Sequence, residues 1–169
     1  MLFRSQSLNE NRTLLIHLPE NYDQSESHYP VLYMLYGNHT TTYFAETVSI
    51  LDTYGSSGDI PPMIIVGITN TDRYRDLLPL TRDGSKTGID NFIAFFKTEL
   101  IPYIDNHYRT KKYRTLLSRP AGTNFAMKNL FKNRPFSDSI IQPTTIHLGS
   151  LRECFVKTLI NVYYSLSIV

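Results

Sequence analysis

The sequence has little of several features that mark particular classes of protein. It holds a single cysteine, so no disulfide can form within the chain, and it has no tryptophan. Its longest strongly apolar runs are far shorter than the roughly 18 residues that a membrane-spanning helix needs. Its start, MLFRSQSLNENRT, lacks the apolar region of a signal peptide. We therefore expect no membrane partner and, by default, either a cytoplasmic protein or a chain whose true N-terminus is missing.

Metal and cofactor chemistry also has no visible basis in the sequence. The five histidines are scattered and lack the spacing of a metal site. Cys154 lies in RECFV, which resembles one turn of an ordinary helix, so we predict an inert packed thiol. Hydrophobic residues make up 41% of the chain and charged residues 19%, which is typical of a folded globular protein. We predict one domain over residues 1–169, with no metal and no cofactor.

The charges are unevenly distributed along the chain. Residues 106–137 hold eight basic side chains and no acidic one, whereas residues 1–105 have an acidic excess. Such a segment is most often a solvated surface, and no nucleic-acid-binding motif accompanies it, so we do not expect nucleic-acid binding. Binding of a partner or polyanion through the basic 106–137 segment stays open as an alternative function.

Apolar runs alternate with helical patterns along most of the chain. VLYMLYG and PPMIIVGITN are continuously apolar at their centres, which is typical of strands buried on both faces of a parallel sheet. Residues 71–88 are polar and predict a long loop. The pattern predicts an α/β fold, a mostly parallel sheet flanked by helices. The predicted strands are 12–19, 31–37, 61–70, 113–118 and 137–143, and the predicted helices are 41–55, 89–108 and 121–133.

Three stretches, in this order, resemble the putative esterase family of α/β-hydrolases, which includes siderophore esterases and S-formylglutathione hydrolases. They are SLNENRTLLIHLPENYDQSESHYPVLYMLYG, PPMIIVGITNTDRYRDLLP and FKTELIPYIDNHYRTKKYRTLL. The likeness covers about residues 7–135, and 136–169 form a divergent tail. It implies a partial α/β-hydrolase fold, shortened at both ends and without the family's first strand. It also implies cleavage of a small ester-like ligand by a Ser-His-Asp triad.

The family's nucleophile motif, G-x-S-x-G, falls here on Ser118–Gly122, and Pro120 occupies the nucleophile slot. The resemblance implies a strained nucleophile with positive φ, whereas proline fixes φ near about −65°. We therefore predict an ordinary helix start and no serine chemistry at this position. Ser118 is the alternative nucleophile, but two strand residues displace it by about 6.6 Å.

The other parts of the family's site are also incomplete in this sequence. The triad's acid and histidine follow the nucleophile in the chain. Here PTTIHLGS does not resemble the family's histidine loop, and His147 reads as a loop or surface residue. In the family, backbone N–H groups form an oxyanion pocket, and this sequence has residues at the corresponding positions. A tight turn at Gly37 explains the sequence around that residue equally well. The pocket candidates are Gly37, Asn38, His39 and Ala121.

Arg73 and Arg75 are candidates for binding an anion near the site, with a structural network in the loop as the alternative. A shortened sheet would also leave an exposed edge, which predicts self-association. Three functions stay open. The chain is an inactive ester-hydrolase relative, an active esterase using Ser118, or a polyanion-binding domain.

Overall fold

The computed structural model describes residues 1–35, 41–118, 125 and 138–141. Between α3 (Ile89–Ala94) and α4 (Ile101–His107) the helix continues as a π-helical segment, Phe95–Leu100, and we call the three parts helix 89–107. The strands are β1 (Leu2–Ser5), β2 (Glu10–His17), β3 (Tyr29–Leu35), β4 (Ile64–Ile68), β5 (Thr110–Ser118) and β6 (Asp138–Ile141), and the helices are α1 (Thr41–Ser57), α2 (Arg73–Leu77), α3 (Ile89–Ala94) and α4 (Ile101–His107).

The described strands form one sheet in the order β1-β2-β4-β3-β5-β6. Strand β3 runs parallel to β4 and β5, and β5 runs parallel to β6, whereas β2 is antiparallel to both β1 and β4. The predicted α/β class with a mostly parallel sheet is confirmed. A short strand, β1, precedes the first predicted strand and pairs with β2, and Phe3 packs edge-on against Phe95 at 5.8 Å. The expectation that the chain lacks the family's first strand stays a prediction.

Every residue of β3 and β4 is buried, as expected for central strands covered on both faces. On one face, α1 approaches β4 closely at Gly67. A Cβ at this position would lie 2.8 Å from two ring atoms of Phe44. The absence of a side chain at Gly67 therefore sets how closely α1 can pack on the sheet.

Helix 89–107 covers the other face with an aromatic core. Phe92, Phe95 and Phe96 are fully buried, and so are Leu100 and Ile104. This confirms the predicted amphipathic spacing over 89–108. The ring centroid of Phe125 lies 5.0 Å from that of Phe92 and 5.1 Å from that of Phe96, so this residue belongs to the same core.

The loop predicted over 71–88 is interrupted by α2, so that prediction is wrong at Arg73–Leu77. Asp72 caps the helix, because its carboxylate accepts the N–H groups of Tyr74 at 3.0 Å and Arg75 at 3.1 Å. Of the predicted helix 121–133 only Phe125 is described, and it is helical. His147, Cys154 and the rest of the tail after 141 lie outside the described residues. Across the described part of the chain, no helix has the length and apolar character needed to span a membrane.

Candidate functional site at the carboxyl edge of the sheet

The parallel strands β3, β4, β5 and β6 all end at one edge of the sheet, where the loops of an open α/β fold form binding sites. Pro120 follows the last residue of β5, Ser118, by two positions in the sequence. The predictions for these loop residues stay predictions, because the residues lie outside the described part of the chain. They are Gly37, Asn38, His39, Pro120 and Ala121.

Ser118 is enclosed in the sheet. Its side chain is 1% exposed, and among the described residues its Oγ has no hydrogen-bond partner. It pairs with Ile141 of β6, and strand alternation places it on the same sheet face as Leu116, which belongs to the core under helix 89–107. A serine nucleophile needs a neighbouring base and access to substrate. The described surroundings of Ser118 provide neither.

A network of four charged side chains occupies the carboxyl end of β4. Glu10 and Arg12 come from β2, and Arg75 and Asp76 come from α2; we call these four the charge network. Arg12 Nη2 donates to Asp76 Oδ2 at 2.6 Å and lies 2.5 Å from Glu10 Oε1. Arg75 Nε donates to Asp76 Oδ1 at 2.9 Å, and Arg75 Nη2 donates to Glu10 Oε1 at 2.8 Å. Two acids thus neutralise two bases.

Arg12 and Asp76 are both fully buried, so each charge depends on the other to offset its loss of hydration. Arg12 Nη1 also donates to the carbonyl of Thr69, just after β4, at 3.1 Å. Its guanidinium carbon lies 5.3 Å from the ring centroid of Phe92. Arg12 therefore connects the end of β4 to the aromatic core.

The network also shifts the pKa values of Glu10 and Arg75. Burial opposes ionisation of Glu10, but hydrogen bonds from Arg75 and Thr71, with the charges of Arg12 and Arg75, hold its pKa below the usual value. The hydrogen bond to Glu10 is the main reason that the pKa of Arg75 is raised. Both groups are thus held in their charged forms.

Arg75 uses its guanidinium nitrogens within the protein, on Glu10, Asp76 and the Thr71 hydroxyl. Its stem packs on Gly88, where an added Cβ would lie 2.9 Å from Arg75 Cγ. Arg73 donates to the Tyr74 hydroxyl at 2.8 Å and lies over the same ring. These contacts are those expected if both arginines belong to a structural network in the loop. The binding of an anion by Arg73 and Arg75 stays a prediction.

The sequence prediction missed Glu10 and Arg12, although an arginine just before the apolar run TLLIHL was a visible signal. Within the described residues, no three or more histidine, cysteine or acidic side chains are grouped so as to hold a metal ion. The arrangement instead provides rigid support for the loops at this edge.

Several solved structures share the architecture of this chain. An IroE-like serine hydrolase from Shewanella oneidensis is 30% identical, with a TM-score of 0.72 over 96% of this chain and 54% of its own. The BES protein from Bacillus cereus is 25% identical, with a TM-score of 0.70 over 96% of this chain and 66% of its own. The enterochelin esterase from Shigella flexneri shares the fold. It is 17% identical, with a TM-score of 0.64 over 84% of this chain and 34% of its own.

This chain thus spans about half the length of the Shewanella hydrolase that it matches. No functionally curated protein gave a significant sequence match. The family model described as "Putative esterase" matches residues 5–132, which is most of the chain. The match includes β2, β3, β4 and β5, the charge network and the position of Pro120. By this match and by its fold, the chain belongs to the putative esterase family.

Proposed function

We propose that this chain is an ester-hydrolase-like domain that binds a small ester-like ligand and does not cleave it. The observation that carries the proposal is Pro120, which stands in the nucleophile slot two residues after the end of β5. Serine ester hydrolysis needs a hydroxyl at this position to attack the ester carbonyl. Proline supplies no hydroxyl, so the first covalent step has no nucleophile there.

Proline also opposes the backbone conformation on which the family's chemistry depends. The strained turn of the family holds its nucleophile at positive φ, and proline is restricted to about −65°. A substitution of Pro120 by serine would restore the hydroxyl. The backbone would still have to change from the φ of proline to a positive φ. The loss concerns geometry as well as the reacting group.

Ser118 is the most plausible substitute by sequence, but its described surroundings weigh against it. The side chain is 1% exposed, and no histidine is among its hydrogen-bond partners in the described residues. A hydroxyl without a base has a pKa far above neutrality and is a weak nucleophile. The burial of Ser118 therefore supports the inactive interpretation.

Ligand binding can outlast the loss of catalysis, because the family's oxyanion donors are backbone N–H groups. By sequence, the counterparts are the N–H of Ala121 and one from the loop that holds Gly37, Asn38 and His39. Such donors would bind an ester carbonyl oxygen by hydrogen bonds alone. The charge network would keep the neighbouring end of β4 in place around the ligand.

The direct test is labelling of the folded protein with a fluorophosphonate serine probe, followed by peptide mass spectrometry. We expect no adduct with the natural chain or with Pro120→Ser, while an active serine esterase in a parallel sample is labelled. An adduct on Ser118 that disappears after heat denaturation and in Ser118→Ala would establish the active alternative. Labelling of Pro120→Ser alone would mean that the backbone and the base are intact and only the hydroxyl is lost.

Polyanion binding through the basic 106–137 segment is a weaker proposal. Of its described members, Arg109 donates to the carbonyl of Tyr22, and Arg114 pairs with Asp105 at 2.5 Å. These two side chains contact the rest of the fold, and Lys111 and Lys112 are exposed lysines of the same strand. Salt-sensitive binding to heparin that is lost in Lys111→Gln/Lys112→Gln would support this function.

Self-association through a sheet edge is likewise a proposal. In the described sheet β1 is an outer strand, and its Leu2 side chain is 67% exposed. An edge of this kind can pair with a second copy. Light scattering should then give a dimer mass that falls to the monomer mass in Leu2→Lys, whereas a monomer at all concentrations would exclude it.

A further inference from the structure

A second concave surface lies beside α2, at a distance in sequence from the nucleophile slot. This α2 cleft has a volume of about 780 Å³ and lies between α2 and the segment 78–88. Its apolar lining includes Tyr74 and Leu80, and its basic lining includes Arg82 and Lys86. We propose that the α2 cleft binds a small amphipathic anion, namely a carboxylate with an aromatic or aliphatic body.

The wall formed by 78–88 is built by hydrogen bonds and is not a loose loop. Leu80 and Lys86 form an antiparallel bridge, and the N–H of Thr81 donates to the carbonyl of Ser85 at 2.9 Å. Gly84 closes the turn with φ +83, a conformation that suits glycine. Below the hairpin, the Thr87 hydroxyl donates to the carbonyl of Leu78. The cleft is therefore preformed, which reduces the entropy cost of binding a ligand.

The apolar part of the cleft stands out on the described surface. Among the described residues, the exposed large hydrophobic side chains are Met1, Leu2, Tyr74 and Leu80. Two of these four lie in this one cleft, with Tyr74 59% and Leu80 52% exposed. Apolar groups that converge on a concave surface are typical of a binding site.

The charges of the cleft leave an excess of positive charge. Arg75 is neutralised by the charge network, and in the described lining Asp72 is the one acidic group against the two bases Arg82 and Lys86. The side chains of Arg82 and Lys86 are exposed, and neither side chain has a hydrogen bond or ion pair with a described residue. Asp83 lies between them in sequence and keeps its charge, but its carboxylate is hydrogen-bonded to Thr81 and Ser85, and the residue is not among the described lining residues of the cleft. Arg82 and Lys86 therefore attract an anion.

The chemistry and size together select the ligand class. A volume of about 780 Å³ lies within the range of about 300–1,000 Å³ typical of small-molecule sites. The apolar body would cover Tyr74 and Leu80 while the carboxylate meets Arg82 or Lys86. This assignment uses no residue of the nucleophile slot, so it is independent of whether the chain cleaves esters.

The test compares two probes that differ in charge alone, 2-naphthoate and the neutral 2-naphthamide. Binding is measured by isothermal titration calorimetry at low and at high salt. We expect the naphthoate to bind at least about fivefold more tightly than the amide. This preference should decrease in high salt, because exposed charges are screened.

The variant Arg82→Gln/Lys86→Gln should abolish the preference for the naphthoate and leave the affinity for the amide unchanged. The matched control, Lys111→Gln/Lys112→Gln, removes the same number of charges from β5 and should keep the preference. Equal binding of both probes, or loss of the preference in the control as well, would overturn the proposal. Absence of any binding at millimolar probe would overturn it too, and the fluorophosphonate result would be unaffected.

Discussion

The carboxyl ends of β4 and β5 lie at the same edge of the sheet, but they are stabilised in different ways. After β4, the carbonyl of Thr69 is held by Arg12, which is itself paired with the buried Asp76. At the end of β5, Ser118 is buried with no partner for its hydroxyl among the described residues, and Pro120 follows. The edge is thus held by buried charged side chains at β4, whereas the hydroxyl at the end of β5 has no partner among the described residues.

The described contacts that support the β4 end lie outside the nucleophile slot. The β4 end is connected to the region after β5 through aromatic packing, since Arg12 lies over Phe92 and Phe92 contacts Phe125. None of these contacts needs a serine at position 120. Four changes test how far the two ends differ.

The largest expected effect is at the β4 end. Asp76→Ala leaves Arg12 as a buried charge without its main partner, and we expect a loss of about 3–5 kcal/mol in the free energy of unfolding. Urea denaturation followed by circular dichroism measures this. Asp23→Ala, an exposed acid, is the control and should change stability by less than about 0.5 kcal/mol. Equal effects of the two changes would mean that the charge network does not stabilise β4.

An intermediate effect is expected within β4 itself. Gly67→Ala places a Cβ 2.8 Å from the Phe44 ring, so α1 must shift, at a cost of about 1–3 kcal/mol. The double variant Gly67→Ala/Phe44→Leu should be more stable than the sum of the single changes predicts, because the smaller side chain gives the methyl group room. Simple additivity would show that the close approach at Gly67 is unimportant.

A smaller effect is expected on acidification, through Glu10. Its pKa is lowered in the folded state, so its contribution to stability is present above the unfolded pKa of about 4.3 and is lost as the pH falls through the folded value. Wild type should exceed Glu10→Gln in stability by about 0.5–1 kcal/mol at pH 7. The difference should shrink toward pH 3 in denaturation curves, and a pH-independent difference would contradict this reasoning.

The smallest effect is expected at the β5 end. Ser118→Ala removes a buried hydroxyl with no described partner, so stability should be unchanged or increased by up to about 1 kcal/mol. Ser5→Ala is a matched control, because Ser5 is equally buried but its Oγ accepts the N–H of Leu8 at 3.1 Å. That change should cost about 1 kcal/mol. Thermal unfolding of both variants would show whether the Ser118 hydroxyl is unused.

Much of the scaffold could be predicted from sequence because it depends on local patterns. The apolar runs of β3 and β4 and the 3–4 spacing of helix 89–107 predict buried elements directly. The four residues of β1 are too few for such a pattern, and α2 was hidden in a polar stretch. Its signal was Asp72, a capping residue just before the helix.

The candidate site could be predicted only in part, because its contacts depend on register. The position of Pro120 followed from a motif. The pairing of Arg12 with Asp76 joins residues 64 positions apart, and it requires Leu14 of β2 to lie opposite Ile68 of β4. The burial of Ser118 likewise depends on the neighbouring strand β6. No local pattern in the sequence contains this information.

The 64-residue distance in sequence between Arg12 and Asp76 has a consequence for the order in which the protein folds. Arg12 leaves the ribosome well before Asp76, and it cannot be buried without cost until its partner arrives. The β1–β2 hairpin can form early because its contacts are local. We expect its docking onto β4 to follow the formation of α2, because closure of this long loop costs chain entropy. Asp76→Ala should therefore slow refolding if this docking is part of the rate-limiting step.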